Sequence, residues 1–148
     1  MSSKREDQVA NPSYTPHPYN FNGYASFDEF YPFYLGEHSH PKCRRLHLVG
    51  TLGALTVLLR VLVSFLPGFL THFRQIIPPA RLNFLRIRGG KKAQLKIALI
   101  GVIQGYIFSW IGHFFYERNK PATFKHPWYS LRGDLRMLKE VLLRLRKA

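Results

Sequence analysis

Two long runs of apolar residues, separated by a basic segment, dominate the pattern of this chain. Residues 97–116 carry no formal charge, and residues 48–66 are interrupted by one charged residue, Arg60. An α-helix rises about 1.5 Å per residue, so about 20 residues cross the hydrocarbon core of a bilayer. The pattern therefore predicts two membrane-length helices. A charge near mid-span costs about 2.5–3.5 kcal/mol, so Arg60 is expected to reach the interface or a partner.

The second apolar run has two distinct faces on a 3.6-residue helical turn. Residues spaced by four, three and four fall on one narrow face; they are Tyr106, Trp110, His113 and Glu117. Small residues form another face, where a second helix can approach closely; they are Gly101, Gly105, Ser109 and Gly112. An ionisable pair at the end of such a helix is a hypothesis for a functional site.

Shorter segments surround the two apolar runs. Residues 1–25 are polar and rich in proline, which predicts a flexible tail. Ser26 and Glu29 match a capping box and predict a short aromatic helix. Residues 69–96 contain many arginines and lysines and no acid, which favours a loop that lies on anionic lipid. A last helix is predicted from Ser130, because leucines recur there every three to four residues.

Composition agrees with a small membrane protein. The 148 residues carry a formal net charge of +14, yet 46% of them are hydrophobic, and the two kinds of residue are segregated along the chain. We therefore expect an all-α fold, a small integral membrane bundle of about four helices with a basic loop. A disordered tail over 1–25 would precede one membrane-embedded domain over 26–148. The single cysteine excludes an internal disulfide.

Histidines are the main candidates for chemistry. Four of the seven stand beside predicted helix ends, and they are His38, His47, His113 and His126. The sequence lacks the motifs of metalloproteases, nucleotide-binding enzymes and common serine hydrolases. Imidazoles from separate elements, together with a carboxylate and open coordination positions, suit non-haem Fe(II), although their spacing alone is a weak signal.

Three stretches of the chain carry a family resemblance. They are residues 27–51, 111–124 and 126–137, which read FDEFYPFYLGEHSHPKCRRLHLVGT, IGHFFYERNKPATF and HPWYSLRGDLRM. Together they make up about a third of the chain. They closely resemble the 2-hydroxy fatty acid dioxygenase family of lipid α-oxidation, and the bacterial-style branch is the more similar one.

The resemblance implies an Fe(II)-dependent, membrane-embedded dioxygenase. With O2, such an enzyme converts a long-chain 2-hydroxy fatty acid into the acid one carbon shorter, in fungi as part of phytosphingosine breakdown. The implied metal ligands are His38, His47 and His113, with His126 as a weaker candidate beside them. The membrane would be that of the endoplasmic reticulum in a eukaryote and the inner membrane in a bacterium.

Residues near these histidines suggest roles in binding and catalysis. A 2-hydroxy acid chelates iron through its hydroxyl and carboxylate, and Arg44 or Arg45 is expected to pair with that carboxylate. Glu117, one turn beyond His113, is expected to hydrogen-bond a ligand histidine and fix its tautomer. The candidate catalytic residues are therefore Glu117 and Arg45. The candidate substrate-binding residues are Arg44, Arg45, Tyr106 and Trp110.

Two other functions fit parts of the pattern. A non-catalytic basic membrane protein would tether or shape membranes through its basic loop and last helix, with His113 and Glu117 serving only as a helix-terminal cap. A nucleic-acid binder would rely on net charge alone, but the basic residues form no known motif of that class. Stoichiometric metal in the purified protein separates the dioxygenase from both.

Overall fold

The structure, a computed structural model, describes residues 9–70 and 79–148. Within these ranges every secondary-structure element is a helix, with no strand, which confirms the predicted all-α class of about four helices. The four helices of ten or more residues, and the short α3, are α1 (Phe27–Gly36), α2 (Pro41–Val63), α3 (Leu66–Leu70), α4 (Gly90–Ile111) and α5 (Pro127–Leu142). Short 3₁₀ turns lie at Pro79–Leu85 and Ala122–Phe124.

The chain forms two compact units. One comprises the described residues up to Thr51 together with Tyr106–Ala148, and the other comprises Leu52–Gly105. The helices α2 and α4 each contribute residues to both units. Every candidate site residue predicted from the sequence belongs to the first unit, so the site can be described within that unit alone.

The helix α1 begins where the capping box predicts. The hydroxyl of Ser26 accepts a hydrogen bond from the backbone N–H of Glu29 at 3.2 Å, which satisfies a donor left free at the helix start. The aromatic side chains of α1 form the core of the first unit, with Met137 and Leu138 of α5 packed against them. These buried aromatic residues are Phe27, Phe30, Tyr31, Phe33 and Tyr34.

Residues 9–25 pack against this core, which corrects the predicted flexible tail for that part of the chain. Tyr14 is only 6% exposed, and its hydroxyl donates to the carbonyl of Lys147 at 2.5 Å. The side chain of Asn11 donates to the carbonyl of Pro32 at 3.0 Å. Aromatic side chains gain from burial on a core that already exists, even when the segment around them is polar. Residues 1–8 of the predicted tail lie outside the described residues.

Both long helices begin earlier than the apolar runs predict. The helix α2 begins at Pro41, because proline at the first helical position lacks only an N–H that would have no partner there. The helix α4 begins at Gly90, so Lys91, Lys92 and Lys96 lie in a helix rather than in the predicted basic loop. Residues 71–78 of that predicted loop lie outside the described ranges.

The end of α4 also differs from the prediction of one α-helix through Glu117. A π-helical turn, Gly112–Glu117, follows α4 and is closed by Arg118 in the left-handed conformation, with φ of 56°. In a π turn the hydrogen bonds reach one residue further along the chain, so the register of the side chains shifts. The predicted common face is therefore broken: His113 is 2% exposed, whereas Trp110 is 40% exposed.

The helix α5 begins at Pro127 rather than at Ser130, which is buried inside the helix instead of capping it. Its acidic residue Glu140 faces the core, where it accepts hydrogen bonds from the hydroxyl of Tyr31 at 2.8 Å and from Nε of Arg146 at 2.7 Å. The basic amphipathic helix is thus packed on the core of its own unit.

The second unit, Leu52–Gly105, keeps its apolar side chains on its surface. The helices α2 and α4 meet there through a polar pair and a glycine: Gln94 donates to the hydroxyl of Ser64 at 2.9 Å, and Gly101 lies against Val57. Arg60 has a hydrogen-bond partner, as expected for a charged residue within an apolar run: its guanidinium donates to the carbonyl of Leu85 at 2.7 Å. The large exposed residues of α2 and α4 in this unit include Leu59, Leu62, Leu95, Leu99, Ile100 and Ile103.

Two helical segments are long and apolar enough to cross a membrane. They are Pro41–Leu70 and Gly90–Glu117, and only 22% and 11% of their most apolar windows are buried. The core helix of a soluble protein would bury that surface, and the exposure agrees with the predicted contact with lipid.

Candidate metal centre

Four side chains that can ligate a metal converge in the first unit. They are His38, Cys43, His47 and His113, and their ligand atoms all lie within 4.8 Å of one another. The imidazole rings are nearly perpendicular in pairs, with centroids 4.3 Å apart for His38 and His47 and 4.9 Å apart for His47 and His113. All four side chains are buried, at most 4% exposed. The three histidines that the resemblance implies are therefore brought together.

His38 stands just after the end of α1. Its Nδ1 lies 2.6 Å from the backbone carbonyl of Tyr34, and a carbonyl oxygen can only accept a hydrogen bond. Nδ1 must therefore carry the proton, which leaves the lone pair on Nε2. The ring of Tyr34 packs on the imidazole at 4.2 Å between centroids and holds its orientation.

His47 lies on α2 and is held by a carboxylate of α5. Its Nδ1 is 2.8 Å from Oδ1 of Asp134, which also accepts a hydrogen bond from the hydroxyl of Tyr34 at 2.5 Å. A carboxylate behind a ligating histidine fixes the ring tautomer and raises its basicity. Tyr34 thus supports two of the three imidazoles, one through its carbonyl and its ring and the other through Asp134.

His113 lies in the π-helical turn and is held by an amide. Its Nδ1 is 2.7 Å from Oδ1 of Asn119. The orientation of that amide follows from its other contacts, because Nδ2 donates to the backbone carbonyl of Glu37 at 3.2 Å and to its carboxylate at 3.0 Å. The left-handed residue Arg118 turns the chain so that Asn119 folds back onto the histidine.

Cys43 enters the cluster from the first turns of α2. It is followed four residues later by His47, so both side chains lie on the same face of the helix. Gly112 allows the close approach on the other side, since a Cβ there would lie only 2.9 Å from Sγ of Cys43. The π turn and α2 are therefore in contact at this point.

The electrostatics of the cluster favour neutral imidazoles. Burial, first, and then the neighbouring His47 and His113 lower the pKa of His38 well below its usual 6.5. Burial also raises the pKa of Tyr34 well above 10, and the adjacent Asp134 raises it further. At neutral pH His38 is thus a neutral base, the form that binds a metal ion.

The hydrogen bonds of the three histidines leave nitrogen lone pairs available for a metal ion. All three Nδ1 atoms have acceptors, yet Nε2 of His38 and Nε2 of His47 are buried without any hydrogen-bond partner. An unpaired buried polar atom costs about 1–3 kcal/mol, and such atoms are rare in folded proteins. A metal ion bound by the lone pairs of these nitrogens would remove that cost.

Glu117 does not take the predicted position behind a ligand histidine. Its carboxylate accepts hydrogen bonds from the hydroxyl of Ser39 at 2.9 Å and from the backbone N–H of His40 at 2.5 Å. The supporting position is taken instead by Asn119 for His113 and by Asp134 for His47. The π turn explains the difference, because it shifts the register between His113 and Glu117.

The other predicted residues surround the cluster less closely. Nη1 of Arg44 donates to the carbonyls of His38 and Ser39, at 3.0 and 2.7 Å, and its guanidinium covers the ring of Tyr14. Arg45 is exposed. Arg44 therefore stabilises the turn that carries His38, and Arg45 has the freer side chain.

Two aromatic residues and a histidine from the predicted set stand apart from the four ligands. Tyr106 and Trp110 contact each other, with ring centroids 6.1 Å apart, and are 41% and 40% exposed. His126 is not among the clustered ligands; its Nε2 lies 3.2 Å from the hydroxyl of Tyr19, within an aromatic group that includes Phe30.

Sequence reasoning missed Cys43, Asp134, Asn119 and Tyr34 as members of the site. One signal could have indicated Asp134: the final helix is strongly basic, and its two acids, Asp134 and Glu140, are both paired on its inner side. Nothing local in the sequence points to Asn119, whose role depends on the chain reversal at Arg118.

A family model described as 2-hydroxy-palmitic acid dioxygenase Mpo1-like matches residues 24–145 of the chain. The matched range contains all four clustered ligands and the residues that hold them. No curated protein and no solved structure matches the chain.

Proposed function

The chain belongs to the Mpo1-like family of 2-hydroxy-palmitic acid dioxygenases, and we propose that it is an Fe(II)-dependent enzyme that shortens long-chain 2-hydroxy fatty acids by one carbon. The observation that supports this most strongly is the buried group of three imidazoles, with every Nδ1 engaged and two Nε2 atoms unpartnered. A purely structural histidine cluster would pair those nitrogens with protein groups.

In this proposal Nε2 of His38, His47 and His113 hold the metal. An iron(II) ion with three protein ligands supplies open positions at which a hydroxy acid and O2 can react together. Asp134 and Asn119 keep Nδ1 of His47 and His113 protonated, so that Nε2 is always available. Burial of the four side chains keeps bulk water away from the reacting atoms.

The overall reaction balances without a further reductant. The carbon that bears the hydroxyl is oxidised to the new carboxylic acid, the original carboxyl carbon leaves as CO2, and O2 is reduced to water and the new carboxyl oxygen. Substrate and O2 thus account for all atoms and electrons. No nicotinamide or flavin site is therefore needed by this chemistry.

A pocket of about 290 Å³ in the first unit is our candidate for part of the substrate site. Phe33 and Phe124 line it, and Lys120 and Lys125 supply positive charge for a carboxylate. Glu37 also lines it and accepts a hydrogen bond from Asn119, the residue that holds His113. Changing both lysines to glutamine is expected to raise KM severalfold with kcat nearly unchanged, since the charge acts on binding.

The long apolar segments Pro41–Leu70 and Gly90–Glu117 support a location in a membrane, where long-chain acids partition. The membrane would be the endoplasmic reticulum in a eukaryote or the inner membrane in a bacterium. An alternative is a membrane tether without catalysis, which the same exposed helices and the charge of +14 would also serve.

Product analysis tests the proposed function directly. Full-length protein is purified anaerobically in detergent, loaded with Fe(II), and mixed with 2-hydroxyhexadecanoic acid and air. Mass spectrometry should detect pentadecanoic acid, and His113→Ala should abolish it together with stoichiometric iron. His40→Ala is the matched control, because His40 lies near the site but outside the ligand group. Protein that binds anionic vesicles, holds no metal and makes no product would be the tether.

A further inference from the structure

We propose that the thiolate of Cys43 is a fourth protein ligand of the metal in the substrate-free site. The inference rests on the proposed function, because it concerns the ion held by His38, His47 and His113. It adds a sulfur ligand to a site for which neither the sequence pattern nor the resemblance indicates one.

Sγ of Cys43 lies close to the imidazoles. Sγ and one nitrogen of each imidazole all lie within 4.8 Å of one another. Metal–nitrogen bonds are about 2.0–2.1 Å and metal–sulfur bonds about 2.3 Å, so the ligand atoms of one tetrahedral ion lie about 3.3–3.6 Å apart. The four atoms are therefore near enough for side-chain rotation to bring them onto one ion.

Cys43 is buried next to polar atoms that have no hydrogen-bond partner. Its side chain has no exposed surface, and the two unpartnered Nε2 atoms of His38 and His47 lie in the same small group. A cysteine alone is an ordinary core residue, but a cysteine beside two unsatisfied buried nitrogens has an ion as their common explanation.

Cys43 and His47 are one helical turn apart on α2, the spacing at which two side chains can hold one ion. Gly112 leaves the space beside Sγ, since a Cβ there would lie only 2.9 Å from it. The backbone of the π turn thus packs directly against Cys43.

The thiol has to lose its proton when sulfur binds the ion. Metal binding to cysteine releases one proton in this way, because the thiolate and not the thiol is the ligand. The ion would thus take the place of the proton on Sγ, and the proton would leave to solvent.

The number of ligands bears on the access of O2. Three imidazoles and a thiolate would leave a six-coordinate ion with room for a chelating 2-hydroxy acid but for nothing further. O2 could then reach the ion only if the Cys43 thiolate gave up its place after the substrate had bound.

Cobalt substitution tests the proposal in the full-length protein. Metal-free protein in detergent is loaded anaerobically with Co(II), and the absorption spectrum is recorded for wild type and for Cys43→Ser. Wild type should show a sulfur-to-cobalt charge-transfer band in the near ultraviolet, and the variant should lose that band but keep the visible cobalt bands of imidazole ligation. The chain has no second cysteine, so the band can be assigned to Cys43 without ambiguity.

The outcomes separate this inference from the proposed function. Stoichiometric cobalt without a charge-transfer band in wild type overturns the role of Cys43 and leaves the dioxygenase proposal standing. Failure to bind any metal overturns both. The wild-type spectrum decides the matter even if Cys43→Ser does not fold, and Gly112→Ala, which crowds Sγ, should weaken the band in a second variant.

Discussion

The two compact units of this protein differ in what they bury. In the unit formed by the described residues up to Thr51 and Tyr106–Ala148, the buried side chains include imidazoles, a thiol, a guanidinium and a dense aromatic core. In the described part of Leu52–Gly105, the buried residues are Ser64, Pro67, Gln94 and Gly101, and the large aliphatic side chains are exposed. The first unit resembles the interior of a soluble enzyme, and the second has its apolar residues on the outside.

The difference is the one that two different solvents would produce. A unit that keeps its leucines outside and pairs Gln94 with Ser64 inside has the pattern expected of helices in lipid, where close packing and hydrogen bonds replace the hydrophobic effect. A unit that buries charged and ionisable groups must satisfy each of them, as Asp134 and Asn119 do for the histidines.

The largest effect is expected from a charge on the outer surface of the second unit. Ile103 is 55% exposed on α4, and Ile103→Arg should cost about 3 kcal/mol of insertion free energy if that surface meets lipid. Membrane-integrated protein after alkaline extraction is the measurement. Phe21→Arg, at a position 88% exposed and outside the apolar segments, is the control and should change little. Equal recovery of the two variants would argue against lipid contact at Ile103.

The second-largest effect is expected from removing the Asp134 carboxylate that holds His47. Asp134→Ala removes the acceptor for Nδ1 of His47 and for the hydroxyl of Tyr34, and metal affinity should fall about 10–100-fold. The dissociation constant for Co(II), measured by competition with a chelator, reports it. Asp28→Ala is the matched control, because that acid is exposed and pairs with Arg136 at the surface. An unchanged constant for Asp134→Ala would remove Asp134 from the site.

A smaller effect is expected from Gly101→Ala. Its Cβ would lie 2.7 Å from Cγ1 of Val57, so the two helices must separate slightly, at about 1 kcal/mol, the low end for overpacking. The thermal midpoint in detergent should fall by a few degrees while metal content stays the same. Val57→Ala in the same chain should restore the midpoint, and failure to do so would contradict a direct contact as the cause.

The smallest effect is a dependence of stability on pH in the metal-free protein. Because the pKa of His38 in the fold lies well below 6.5, the unfolded chain binds a proton below about pH 6.5 that the fold does not. The stabilisation is thus fully present above pH 6.5 and is lost as pH falls through the folded pKa. Denaturation midpoints between pH 8 and pH 5 should decline, and His38→Asn should flatten that decline.

Much of the local structure could be predicted from the sequence. The capping box of Ser26 and Glu29 begins α1 as expected, and the two apolar runs correspond to α2 and α4. The sequence did not predict the helix starts at Pro41, Gly90 and Pro127, because neither the apolar periodicity nor a capping residue marks these positions. Such boundaries depend on tertiary contacts and on the tolerance of proline at a helix start.

Some residues of the site could be predicted from the sequence and others could not. His38, His47 and His113 were predicted through the resemblance, and the fold brings them together. Glu117 was expected behind a ligand histidine from α-helical spacing, but the π turn gives that position to Asn119. Asp134 and Cys43 come from distant parts of the chain, and no spacing rule relates them to the histidines before the helices pack.

The sequence by itself determined that this chain is helical, that two of its segments are apolar enough for a membrane, and that histidines are its main reactive groups. Those properties follow from the composition of the chain and from the spacing of apolar residues along it, and neither depends on how the helices pack. The tertiary structure alone decided which nitrogen of each imidazole is free, because that depends on acceptors supplied by Tyr34, Asp134 and Asn119. It also decided that a thiol joins them, since a hydrogen bond or a metal ligand is defined by distances within a few tenths of an ångström.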